Sequence, residues 1–305
     1  MATEGGEVDS TNAEHQRVVL ITGDDYEHHY LANRLAASVP LAGIVVDHGR
    51  KVGRIEKVRR IWRRYTMVQL FERVGVNFLR AIWRDSRIAR ESVLKVLGTE
   101  NCSAFRHPEL VSHVRGINTP EGLAAVARLR PDILLVFGTG IVGQKVLSLP
   151  RRIALNMHTG VSPYYRGGDC TFWPVHNEEL DMLGATVHEC TSKVDGGRIF
   201  GTTRVILQKD DGLFSIFARC VAAGADLYAR TVQQMLVSEP AGTVQDLHVG
   251  REYKAHMRGV RAEWRTRRKV QAGLVRHHVE RLESSHRADN ALSTPRTDIA
   301  ATTES

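Results

Sequence analysis

The chain has 305 residues, with 42 Lys/Arg against 34 Asp/Glu, and 42% of it is hydrophobic. That suffices for one large domain or two small ones with a real core, and no run approaches the roughly 18–20 apolar residues of a membrane span. Four dispersed cysteines (Cys102, Cys170, Cys190 and Cys220) contain no C-x-x-C pair; this argues against a zinc knuckle or a disulfide scaffold and reads as buried free thiols of a cytoplasmic protein with no metal site.

Residues 1–16 are polar and acidic, without the apolar core of a signal peptide, and read as a disordered lead. RVVLIT, 17–22, predicts a buried strand, Tyr26–Val39 a helix and Leu41–Val46 a second strand, the opening of a parallel α/β sheet. The intervening turn, TGDDYEHH, lacks G-x-G-x-x-G, which argues against a nicotinamide enzyme.

A long amphipathic helical stretch follows, roughly Arg54 to Leu97, with Trp62, Tyr65, Leu70, Phe71, Phe78, Leu79, Ile82 and Trp83 among the arginines. Covering the sheet is the commonest use of such a segment; binding a partner helix or a membrane surface are the others. From Arg50 to Arg90 there are 13 Lys/Arg against 3 Asp/Glu, and from Arg251 to Arg287 there are 11 against 4. These patches suit nucleic acid, an anionic membrane or a phosphorylated substrate, or are plain solvated helix faces.

Val111–Arg115 predicts a strand, and Thr119-Pro120 a helix N-cap and first turn. A strand at 132–137 ends at Gly138, a short helix spans about Val142–Leu149, and RIALN forms the strand that delivers Asn156. A helix at Gly168–Glu178, strands at Leu183–Cys190 and Ile199–Ile206, and a long helix at Asp211–Leu236 complete the core. Val244–Asp246 and Arg251–Tyr253 suggest a last short hairpin. The expected organisation is a lead (1–16), a catalytic domain (17–236) with a helical basic insertion (about 50–98), a basic C-terminal extension (237–287) and a disordered tail (288–305). The fold class is α/β, an open, mostly parallel Rossmann-like sheet flanked by helices.

In such a sheet the ligand crevice lies at the carboxyl ends of the strands. Asn156 and His158 end one strand, and Asp195 follows the next after a short loop. An amide, an imidazole and a carboxylate suit acyl transfer to an amine: a protonated His and an Asn NH2 donate to the oxyanion, and the carboxylate favours the imidazolium and relays a proton through water. Singly, each has an ordinary explanation. His158 is a hydrogen-bonded strand end, Asn156 a loop cap, Asp195 a turn residue before Gly196-Gly197, and Arg166-Gly167-Gly168 a phosphate-binding turn or a flexible corner. His188, mid-strand, reads as structural.

The stretch N-M-H-T-G-V-S-P-Y-Y-R-G from Asn156, and G-A-T-V-H-x6-D-G-G from Gly184, resemble the folate-dependent formyltransferase signatures N-I-H-P-S-L-L-P-x-Y-R-G and G-x-T-I-H-x6-D-x-G. The resemblance covers about Asp132–Ile206 firmly and extends over Arg17–Leu236. It implies the formyltransferase fold, Asn156, His158 and Asp195 as the catalytic trio, and 10-formyltetrahydrofolate as formyl donor. It also implies Phe137, Gly138, Thr139, Ser192 and Val194 around the pterin, with Gly160, Val161, Ser162 and Pro163 beside the folate. Tyr165 and Arg166 are expected to support the turn rather than meet the acceptor. The sequence departs from the family at Thr159-Gly160 and Gly196, which bears on the substrate more than on the chemistry. The expected acceptor is a small-molecule primary amine, for instance a nucleotide-linked amino sugar. Methionyl-tRNA, hydrolysis to formate, or a non-catalytic RNA- or membrane-binding role on the same scaffold are the alternatives, and the sheet edge or the Trp/Phe-rich helices would serve a homodimer.

Overall fold

The computed structural model describes residues 16–50, 53, 59, 62 and 65–293. Strands β1 (Val18–Thr22), β2 (Leu41–Asp47), β3 (Val111–Val114), β4 (Ile133–Val136), β5 (Ile153–His158), β7 (Gly184–Glu189) and β8 (Ile199–Arg204) form one sheet in the order β3-β2-β1-β4-β5-β7-β8. Pairing is parallel from β3 to β5 and antiparallel for β5–β7 and β7–β8. The mostly parallel α/β sheet expected from the sequence is therefore present.

Alternation along β1 explains why both faces are covered. Val18 and Leu20 enter one core cluster and Val19 and Ile21 the other, because successive side chains of a strand point to opposite faces. The first cluster packs α1 (Tyr26–Ala36), α3 (Asp85–Leu97) and α8 (Leu213–Val237) on the sheet; the second packs α5 (Pro120–Arg128) and the single turn α6 (Gln144–Leu147). The predicted cap of α5 forms, with Thr119 Oγ1 accepting from Gly122 N at 3.2 Å. Tyr228 of α8, fully buried, ties the central strands together: its hydroxyl donates to Leu155 O at 2.8 Å and accepts from Val136 N at 3.0 Å.

The strand order reverses at β1, which has β2 on one side and β4 on the other. A crevice opens where the chain leaves these two strands in opposite directions, between the turn after Thr22 and Phe137-Gly138.

The single helical stretch expected over 54–97 is instead two helices, α2 (Met67–Ile82) and α3, broken at Arg84, which has φ 55°. Asp85, the first residue of α3, is buried against Arg267. Only α3 covers the sheet, through Val93 and Leu97. The part of the expected helix at 54–64 lies outside the described residues, apart from Arg59 and Trp62.

The expected C-terminal hairpin does not form. β9 (Arg251–Tyr253) pairs in parallel with β6 (Tyr165–Gly167), far away in sequence, because Gly167 lets the Tyr253 backbone approach closely. Helices α9 (Val260–Gln271) and α10 (Leu274–Ser293) follow, so residues 288–293 of the expected tail are helical. The rest of that tail, and the lead up to residue 15, lie outside the described residues.

Candidate active site

Asn156, His158 and Asp195 converge. β5 carries the first two on one face, since residues two apart in a strand share a face. The loop between β7 and β8 returns Asp195, in a left-handed backbone conformation (φ 47°), so that its Oδ2 lies 3.5 Å from His158 Nδ1. Gly167 N donates to the same oxygen at 2.8 Å. Gln245 fixes the loop from outside by donating to the carbonyls of Asp195 and Gly197 at 2.9 and 2.5 Å.

A fourth member was missed by sequence reasoning. His188 sits directly across the β5–β7 ladder from Asn156. Its Nε2 is 3.2 Å from Asn156 Nδ2 and 3.3 Å from Asp195 Oδ1. Cross-strand partners share a face, but which residue faces which is a matter of register, and the sequence carried no sign of it.

The electrostatics correct one expectation. Burial would raise the Asp195 carboxyl, but His158, His188 and the Gly167 N–H outweigh it and hold the group at about 2. Asp195 is thus ionised at neutral pH. For His158, burial wins: it pushes the ring below its usual 6.5, although Asp195 and the Tyr165 carbonyl pull upward. That direction favours the neutral ring over the imidazolium expected from the sequence. Its Nε2 donates to Tyr165 O at 3.1 Å, and Nδ1 faces the carboxylate. A ring held between two acceptors but denied solvent is poised to gain a proton as negative charge develops beside it.

Two cavities meet here. One, of about 710 Å³, is lined by Asn156, His158, His188 and Asp195, and by Phe137, Gly138, Thr139, Ser192 and Val194. The second, of about 550 Å³, shares His158, Thr159 and Gly167 and extends to Ser86, Ala89 and Arg90 of α3 and to Arg258. Both volumes suit small organic ligands. Gly138, at φ 64°, has no room for a side chain because the His28 ring occupies that space.

Gly160, Val161 and Ser162 lie behind the site wall. They are buried, and none of them, nor Pro163, lines the larger cavity. Thr186 of β7 pins them: its hydroxyl donates to Gly160 O at 2.8 Å and accepts from Ser162 N at 3.1 Å. A Cβ on Gly160 would come within 2.5 Å of His158 Nε2, so glycine here sets the ring position. Tyr165 and Arg166 support the turn. Tyr165 Oη donates to Glu179 Oε2 at 2.6 Å, and Arg166 binds the carbonyls of Pro163 and Leu247. All four cysteines are free, and burial raises each thiol, Cys190 and Cys220 to about 12. None is a thiolate at neutral pH.

No family model matches the chain. It is 25% identical over 156 residues to the methionyl-tRNA formyltransferase of Enterococcus faecalis, covering 51% of this chain and 49% of that one. It is 27% identical over 168 residues to the methionyl-tRNA formyltransferase of Lacticaseibacillus casei, covering 55% and 50%. The chain thus spans about half the length of the curated relatives it matches. Among solved structures, a 4-N formyltransferase from Francisella tularensis superposes with a TM-score of 0.49 at 13% identity, covering 79% of this chain and 77% of that one.

Proposed function

We propose that this chain, a relative of the formyltransferases, moves a formyl group from 10-formyltetrahydrofolate to a primary amine of a small molecule. The supporting observation is the meeting of Asn156, His158 and Asp195 where two ligand-sized cavities join. A one-site binder has no need of two cavities that share a titratable wall.

The larger cavity fits the folate. Phe137 offers an apolar ring, and the chain around Gly138–Gly140 and 192–194 offers backbone polar groups to a planar heterocycle. The donor supplies the formyl carbon. The second cavity receives the amine, with Asp25 and Glu27 shared between the two walls to draw its ammonium form inward before a proton is lost to solvent and the free amine attacks.

The residues then act in turn. Attack by the amine nitrogen on the formyl carbon puts negative charge on the formyl oxygen; Asn156 Nδ2–H donates to it, and positive charge gained by the His158 ring stabilises it. Such a donor is worth about 2.7–4 kcal/mol of barrier. Asp195, ionised and 3.5 Å from His158, stabilises positive charge on that ring and relays the proton lost by the amine through water. The carbon–nitrogen bond to the folate breaks, and its nitrogen takes up a proton. No thiol or hydroxyl nucleophile is required.

Phosphates of a nucleotide-linked acceptor would meet Arg90. The sequence relatives keep methionyl-tRNA as the competing acceptor. Incubation of the chain with 10-formyltetrahydrofolate and a panel of amino sugars, simple amines and charged tRNA, read by mass spectrometry, tests the reading. Gain of one formyl group on an amine supports it. Release of formate alone, or no turnover with any acceptor and no folate binding, would reject it.

A further inference from the structure

Helix α2 is mounted in an unusual way. Of its sixteen residues only Val76 is buried. It is held to α9 chiefly by polar contacts: Arg80 donates twice to Glu263 Oε1 at 2.8 and 2.6 Å, and Glu72 Oε2 accepts from Val260 N at 2.7 Å. Gly75 lets the helices approach, since a Cβ there would lie 2.7 Å from a Val260 methyl.

The apolar side of the helix faces away from the body. Met67, Phe71, Val74, Phe78 and Ile82 are 49%, 69%, 60%, 65% and 58% exposed. Their spacing of four, three, four and four residues places them on one stripe running the length of the helix. Val68 adds to it, and Trp62, just upstream, is 59% exposed. Surface helices ordinarily turn such a stripe toward the core; a contiguous exposed one marks an interaction surface.

The charge of the segment that carries the stripe indicates what covers it. Arg50–Arg90 carries a surplus of ten cations in 41 residues. A second copy would bring two such surpluses together, and like charges face to face oppose pairing. A bulky apolar stripe with Phe and Trp, in a segment whose sequence is rich in arginine, is instead the arrangement of a helix that lies in a lipid interface and meets anionic headgroups. We propose that α2 docks the protein on an anionic lipid surface, its apolar stripe entering the headgroup boundary. No helix among the described residues is long and apolar enough to cross a membrane, so the attachment is peripheral and reversible. The inference stands independently of the catalytic assignment.

The test mixes the full chain with vesicles of phosphatidylcholine alone, or of phosphatidylcholine with about 30 mol% phosphatidylglycerol, and follows co-sedimentation as salt is raised. Binding to the anionic vesicles is expected, at least about tenfold weaker on neutral ones and weakening with salt. The double variant Phe71→Ser/Phe78→Ser should lose at least about tenfold of that binding, while its melting temperature holds or rises because both rings are exposed in the free protein. Failure to sediment with anionic vesicles overturns the proposal, as does undiminished binding by the double variant. A solution dimer that the double variant dissociates would assign the stripe to a second copy and overturn it equally.

Discussion

Asp195 and Glu263 are both largely withdrawn from solvent, and their surroundings differ in kind. Asp195 lies between two imidazoles and a backbone N–H at the junction of two cavities. Glu263 of α9 has no exposed side-chain surface and is ringed by arginines: Arg80 at 2.6 Å, Arg258 at 2.9 Å and Arg267 at 3.7 Å. Burial alone would raise both groups. The imidazoles and Gly167 hold Asp195 at about 2, and Arg258 and Arg80 hold Glu263 below its ordinary range. The partners make the difference. An imidazole can take up and give back a proton where a guanidinium does not, so the Glu263 cluster can only bind. It joins α2, α9 and, through Arg258, Asp169 and the Phe172 ring beside the second cavity. In the proposed function one carboxylate serves chemistry, while the other serves assembly.

Substitutions should separate the two. Asp195→Asn is expected to lower formyl transfer by about 10²–10⁴-fold with little change in melting temperature, and His158→Ala to do the same. Steady-state kinetics beside thermal unfolding will show it, and near-normal turnover in either variant contradicts the assigned roles. Glu263→Gln should do the reverse. It removes the buried charge that three partly buried arginines share and should cost about 3–5 kcal/mol in urea unfolding; an unchanged unfolding midpoint would mean the cluster is not structural.

A subtler break is Gly160→Ala, whose added Cβ meets His158 Nε2 and Cys170 Cβ. The ring must shift, and a displacement of catalytic geometry on that scale costs about 10²-fold in rate. Retained turnover would show that the ring position tolerates movement.

The smallest effect is on pH dependence. Burial lowers His28, His158, His176 and His278 below 6.5. Each therefore binds its proton more weakly folded than unfolded, so their stabilisation is full above 6.5 and declines as pH falls through their lowered values. Asp195, depressed from 3.8 to about 2, adds stability that is lost only as pH falls through that lower window. Melting temperatures between about pH 8 and 5 should therefore drop gradually on the acid side, and a flat profile would argue that these rings are not buried neutral. The Glu263 cluster should contribute nothing in the histidine window, because arginine does not titrate there.

The sheet was legible because periodicity reports burial: RVVLIT and the 132–137 run are apolar on both faces, which only a covered parallel strand requires. The trio was legible because Asn156 and His158 stand two apart at a strand end and Asp195 follows the next strand within a short loop. What escaped were facts of register and packing. His188 read as structural because nothing local shows that it lies opposite Asn156. The pairing of β9 with β6 escaped because short-range turn signals favoured a local hairpin.

The sequence by itself determined the strand and helix order, the acid, amide and imidazole near the strand ends, and the excess of cations in the insertion. These depend on residue type and spacing along the chain. Only the tertiary structure decided the burial that lowers His158, the entry of His188 into the site and the outward turn of the α2 stripe. Each of those is set by what a side chain is buried against, and burial is a property of the folded whole.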